Sequence, residues 1–111
     1  VKNITNLIIT GLNIRGNGDI ASPNLVDYTN TMNGIDIQNC TNVIVQNCNL
    51  TKQAKAGIFT FGCVNVDLIN NTIPATYNYG IWCTGGSDYT IKDNIISGQC
   101  CHDCFNKWTK V

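Results

Sequence analysis

The sequence predicts an all-β fold, a right-handed parallel β-helix (solenoid) of about four coils with a repeat of 23 residues. Three observations predict it. Segments opening at Gly34, Gly57 and Gly80 align without gaps at that period. Apolar residues alternate within each segment, and Asn, Asp or Gly recurs where the alternation breaks.

The elements follow in order along the unit. In the first strand Ile35/Ile37, Ile58/Thr60 and Ile81/Cys83 share one face, because side chains two residues apart point the same way. In the second, Val43/Val45, Val66/Leu68 and Tyr89/Ile91 repeat the arrangement, with an earlier copy in Leu7/Ile9. A third set, Leu12/Ile14, Cys48/Leu50, Asn71/Ile73 and Asn94/Ile96, closes the coil. These positions are expected to face inward. The breaks fall at Asn39, Gly62 and Gly85 and again at Asn47, Asn70 and Asp93, residue types that tolerate left-handed backbone. Asn71 and Asn94, at equivalent places, are candidates for an internal hydrogen-bonded ladder, or simply turn the chain. An antiparallel sandwich does not require a gapless repeat with matched corners, and a left-handed β-helix would want hexapeptides.

A single domain or segment over residues 1–111 is expected, with an insertion at 16–31 and an additional coil or cap at 97–111. The chain opens on Val1 rather than Met, which favours a segment of something longer. Acidic and basic residues balance at 7 each, so the basic footprint of a nucleic-acid binder is missing. No run of 18 apolar residues suggests membrane insertion, and Val1-Lys2-Asn3 does not begin a signal peptide. Seven cysteines in so short a chain point to an oxidising compartment, hence an extracellular, secreted or virion-surface location. Asn-x-Ser/Thr acceptors at Asn3, Asn39, Asn49 and Asn70 add little in a chain rich in Asn and Thr.

The units resemble the pectin-lyase-like superfamily, whose short repeats read Gly-Ile-x-x followed by Asn-x-x-Ile-x-x-Asn-x-Ile, over roughly Asn6 to Ile96. The resemblance implies the β-helix and, by analogy alone, polysaccharides. Locally, Asn30-Thr31-Met32-Asn33-Gly34-Ile35-Asp36 is similar to the Asn-Thr-Asp-Gly-Ile-Asp segment of polygalacturonases. Met32 stands where that family has its first Asp, Lys55-Ala56 where it has Asp-Asp, and Asn78-Tyr79-Gly80 where it has Gly-His-Gly. Asp36 alone cannot act as both acid and base across a glycosidic bond. A lyase would need acids gathered around Ca²⁺ and a base such as Lys52 or Lys55, but Asp36, Asp67 and Asp88 are scattered. No catalytic residues, metal ligands or cofactor are therefore assigned.

If Ile35, Ile58 and Ile81 point inward, Asp36, Phe59 and Trp82 form an outward column and Gln38, Phe61 and Thr84 the next. Phe59, Phe61 and Trp82 then make an exposed aromatic strip at about 4.8 Å per step, with Tyr77 and Tyr79 at the adjacent corner. In enzymes of similar fold this face carries the polysaccharide groove. Asp36, Phe59, Phe61, Tyr79 and Trp82 are the candidate ligand-binding residues. Their partner is a polysaccharide or surface glycan, or a neighbouring protein or second copy; the insertion, with Asp19, Asp27 and Tyr28, can serve as cover.

Cys40 and Cys63, one coil apart, are disulfide candidates, as are Cys100, Cys101 and Cys104, while Cys48 and Cys83 read as small core residues. The Cys100-Cys101-His102-Asp103-Cys104 run is too tight to converge on one tetrahedral ion. Cys104-Phe105 follows Ile81-Trp82 at the repeat distance, so the tail either extends the aromatic column to Phe105 or caps the end, together with Trp108. The function expected is a non-catalytic β-helix module of an extracellular or virion surface protein, structural or binding glycan or protein through the strip. The alternatives are a fragment of a polysaccharide lyase, hydrolase or epimerase, and a filament or capsid subunit.

Overall fold

The computed structural model describes residues 1–16, 33–53, 55–74 and 79–97, together with the backbone of 106–108. Strands β1 (Thr5–Thr10), β4 (Thr41–Gln46), β7 (Val64–Ile69) and β10 (Ser87–Lys92) stack in that order into one parallel sheet. A second holds β2 (Asn13–Arg15), β5 (Asn49–Thr51), β8 (Thr72–Pro74) and β11 (Ile95–Ser97). The third holds β3 (Ile35–Gln38), β6 (Ala56–Phe61), β9 (Tyr79–Thr84) and β12 (Asn106–Trp108). Each coil contributes one strand to each sheet. The chain therefore winds as a three-sided parallel β-helix.

Register follows the repeat. Ile35 pairs with Ile58 and Ile58 with Ile81, and Val43 pairs with Val66 and Val66 with Tyr89. Ile35, Ile37, Ile58, Ile81, Val43, Val45, Val66, Leu68, Leu50 and Ile73 are all buried. Stacking like on like fills the interior because each side chain meets its counterpart one strand spacing away. Tyr89 and Ile91 are also in inward register, but Ile91 is 38% exposed at the last described coil of its sheet.

The corners explain the polar repeat. Asn3, Asn39, Gly62 and Gly85 all take left-handed backbone, as do Gly11, Asn47, Asn70 and Asp93. A third left-handed column, Asn6, Asn42, Asn65 and Asp88, went unrecognised in the sequence because it lies inside segments that read as continuous strand. Its side chains form an exposed ladder, in which Asn42 Nδ2 donates to Asn6 Oδ1 at 3.0 Å and Asn65 Nδ2 to Asn42 Oδ1 at 2.8 Å.

The internal ladder is present. Asn71 is fully buried; its Oδ1 accepts from the Cys48 amide and its Nδ2 donates to the Val45 carbonyl and to Asn94 Oδ1, at 3.0 Å in each case. Inward Thr60 likewise finds a polar partner, the hydroxyl of Tyr89, at 2.8 Å. Asn71 and Thr60 are tolerated in the interior because their polar groups are satisfied.

Two expectations need correction. Cys40 and Cys63 are free thiols, not a disulfide. The two stand at equivalent corners one coil apart, 39–40 and 62–63, where the stacked chains keep the strand spacing of about 4.8 Å, whereas a disulfide brings its Cβ atoms to about 3.8 Å. Each thiol instead donates to backbone, Cys40 to Gln38 and Cys63 to Ile37 and Phe61. Cys48 and Cys83 are free and buried, as expected of core residues. Four free thiols remove much of the compositional argument for an oxidising compartment. The second correction concerns the tail: β12 does stack on β9, but Asn106, not Cys104, stands beside Ile81, and the backbone of Lys107, not Phe105, stands beside Trp82. The connection over 98–105 is thus longer than the repeat requires. The side chains of the tail, including Cys100, Cys101, His102, Cys104 and Phe105, lie outside the described residues, as do residues 17–32 of the insertion and Tyr77.

Candidate functional site

The three kinds of corner differ in how much chain they hold. Between the first and second sheets, the connections are 11–12, 47–48, 70–71 and 93–94, and between the third and first, 39–40, 62–63 and 85–86. They do not vary in length. Between the second and third sheets the connections are 16–34, 52–55, 75–78 and 98–105. All the length variation of the chain lies along one edge of the prism. In repeat architectures, insertions collected on one side mark the side available for recognition.

Tyr79, at the start of β9, borders that edge; Phe59 and Trp82 lie mid-strand on the third sheet, and Phe61 lies at the other end of β6 beside the 62–63 corner. Asp36 pairs in register with Phe59 and Phe59 with Trp82, while Gln38 pairs with Phe61 and Phe61 with Thr84. Period 2 puts these positions outside because their neighbours in sequence are core. Tyr79, beside Ala56 at the start of β9, brings its ring to 5.0 Å from that of Trp82. Thus the structure brings Phe59, Tyr79 and Trp82 together, with Asp36 at the far end of the column and Phe61 in the column beside it.

The strip is less open than the exposed one expected. Phe59 meets Trp82 edge to face at 5.2 Å and 70°, and the Tyr79 ring is tilted by 56°. Interlocked in this way, Phe59, Tyr79 and Trp82 are each part-buried, and Phe61 is the exposed one at 49%. The ammonium of Lys55, from the 52–55 connection, sits 5.2 Å from the centroid of Trp82, in cation–π range. From sequence alone, Lys55 is only a candidate base for lyase chemistry. Its signal was position, in a variable connection next to an outward aromatic column.

Asp36 is held rigidly. Asn33 Nδ2 donates to Oδ2 and Gln38 Nε2 to Oδ1, each at 2.9 Å. Both carboxylate oxygens are engaged, which suits a positioning or recognition role better than proton transfer. Asp67 stands on the first sheet, beside Ile44 and Thr90, and Asp88 on the left-handed column, so neither joins Asp36. Among the described residues no group of three His, Cys, Asp or Glu is arranged to hold a metal ion. Burial raises the Cys63 thiol and pushes that of Cys83 up to about 11, which leaves both protonated and poorly nucleophilic at neutral pH.

Three stacked parallel sheets with an apolar and Asn-laddered interior, and one edge of variable connections beside an aromatic column, define a β-solenoid with a single distinctive face. The chain belongs to the right handed beta helix region family, whose model matches residues 1–106. That assignment fixes the hand of the winding, in keeping with the right-handed crossovers of parallel strands. No curated protein and no solved structure matches the chain.

Proposed function

We propose that this chain is a non-catalytic β-helix module, of the pectin-lyase-like kind, that presents a rigid face to a polysaccharide or to another protein. The carrying observation is the meeting of two independent patterns on one face: the outward Phe59–Trp82 pair of the third sheet, and the variable edge next to it, from which Lys55 and Tyr79 reach Trp82. Aromatic clusters with a polar rim dominate binding energy, because rigid rings bury much area and lose little entropy. A β-helix supplies the stiff support such a face needs, since each coil is fixed by those above and below. The separation of Asp36 from Asp67 supports the non-catalytic reading, because glycoside cleavage of the polygalacturonase type needs paired acids.

The test is a panel of soluble polysaccharides and immobilised surface glycans, together with self-association measured by sedimentation, for the wild type, Phe59→Ala, Trp82→Ala and a control, Thr90→Ala, on the opposite sheet. Binding or self-association that weakens at least about tenfold in the first two variants, and holds in the control, is expected of a face with hot-spot residues. Equal effects in all three variants would remove the face from consideration. Release of reducing or unsaturated sugar ends from any polysaccharide would replace this reading with an enzymatic one.

A further inference from the structure

Trp82 carries a hydrogen-bonding need that the described residues leave unmet. Its Nε1–H is buried and has no partner, although buried donors are almost always paired. The Lys55 ammonium lies over the same ring. The carboxylate of the same column, Asp36, has both oxygens occupied by Asn33 and Gln38. Two donors, one of them charged, therefore stand together without an acceptor, and a carboxylate oxygen answers both.

The ring geometry separates the two sources of such a group. A sugar stacks on an open aromatic face, but the indole is crowded by Tyr79 and by the edge of Phe59 and is covered by an ammonium. An extended segment of protein has a different demand: one acidic side chain to engage Lys55, and apolar neighbours to pack on the Phe59 edge and the exposed ring of Phe61. The cluster meets that demand as it stands, with charge complementary to the acid.

We propose that Lys55 and Trp82 form an acceptor-seeking site for an Asp or Glu side chain of a partner protein, with Phe59 and Phe61 taking the apolar residues beside it. This rests on the docking reading above and names its ligand. The partner's carboxylate accepts from Nζ of Lys55 and from the Nε1–H of Trp82.

The experiment uses the ¹⁵N-labelled chain, its indole resonances assigned with Trp108→Phe, titrated with acetylated eight-residue peptides carrying one Glu among Leu and Phe, and with the same peptides carrying Gln. A saturable downfield shift of the Trp82 indole proton is expected, with affinity about tenfold lower for the Gln peptides, as one charge-assisted hydrogen bond is worth. Lys55→Met, which keeps the alkyl stem, should lose the same factor. Equal affinity for Glu and Gln peptides, or an unmoved indole at saturation, overturns the site. So does an acidic oligosaccharide that shifts the indole when no peptide does. Binding that survives Lys55→Met but is lost in Phe59→Ala overturns the acceptor site while the docking face stands.

Discussion

Individual residues in this fold are constrained mainly by what lies one coil away. A Cβ added to Gly57 would collide with the Ile73 Cγ2 and sit 2.8 Å from the Gly80 carbonyl oxygen, and one added to Gly34 would sit 2.6 Å from the Gly57 carbonyl oxygen, so the glycines that open these two repeats are required by close approach. Gly57→Ala is expected to destabilise the chain by ~1–3 kcal/mol through overpacking, read as a lower urea midpoint at unchanged slope. Asn71 is constrained by hydrogen bonding. Asn71→Ala removes the acceptor for the Cys48 amide and the side-chain donor to the Val45 carbonyl, while Asn94 Oδ1 keeps the Asn71 backbone amide. The loss should be ~2–4 kcal/mol, since each orphaned buried group costs ~1–3 kcal/mol, measured by the same denaturation. Interior hydroxyl and thiol groups also give the chain an alkaline limit. Burial pushes Tyr89 up to about 12 and Cys83 up to about 11, in both cases above their ordinary values. The folded state thus holds these protons longer than the unfolded state does. Their contribution is complete below pH 9 and is lost between about pH 9 and 12, as unfolding comes to release protons. Urea midpoints taken from pH 8 to 12 should fall through that interval, and a flat profile would contradict the burial of both groups.

At the scale of strands and corners, the ladders show where local sequence acts through neighbouring coils. In the Asn6–Asn42–Asn65 ladder each amide donates toward the preceding coil, and Asp88 stands next beside Asn65. An ionised carboxylate has no proton to donate, so the ladder stops there. Asp88→Asn restores the donor and is expected to stabilise by ~0.5–1 kcal/mol, the worth of one exposed hydrogen bond, seen as a raised melting temperature. Much of this level was legible in the sequence. The columns Ile35–Ile58–Ile81 and Asp36–Phe59–Trp82 follow from two local periods, two residues within a strand and 23 between coils, and the register confirms both. What escaped had nonlocal causes. The Asn42, Asn65 and Asp88 corner hides inside apolar alternation, because a left-handed residue there bends a strand without ending it. The Cys40–Cys63 pairing failed because spacing along the chain says nothing of how closely stacked corners bring their Cβ atoms. The position of the tail depended on the length of the 98–105 connection, which no repeat governs.

For the whole molecule, the consequence of the repeat is that fixed and variable connections are arranged along separate edges of one prism. Two edges have connections of fixed length and carry the left-handed Asn and Gly columns, whereas the third takes up the insertion at 16–34 and presents Lys55 and Tyr79 beside Trp82. The candidate site was only partly visible beforehand for this reason. Period gave the outward column, but Lys55 reaches Trp82 from a connection whose path the period does not specify.

Removing one whole coil tests this account most directly, because the register of every column depends on the 23-residue turn. Deletion of residues 57–79 joins Ala56 to Gly80, and Ala56 is the register partner of Tyr79, so the remaining coils can close on one another. That variant should keep a parallel-sheet circular dichroism spectrum and melt cooperatively at a lower temperature, as expected for a stack of nearest-neighbour units. Deletion of 63–84 instead joins Gly62 to Gly85 and leaves one residue too many at a corner whose length does not vary; it puts the following side chains out of register with their faces, and it should not melt cooperatively. Equal behaviour of the two deletions, folded or unfolded alike, would contradict the 23-residue coil as the origin of both the core and the aromatic face.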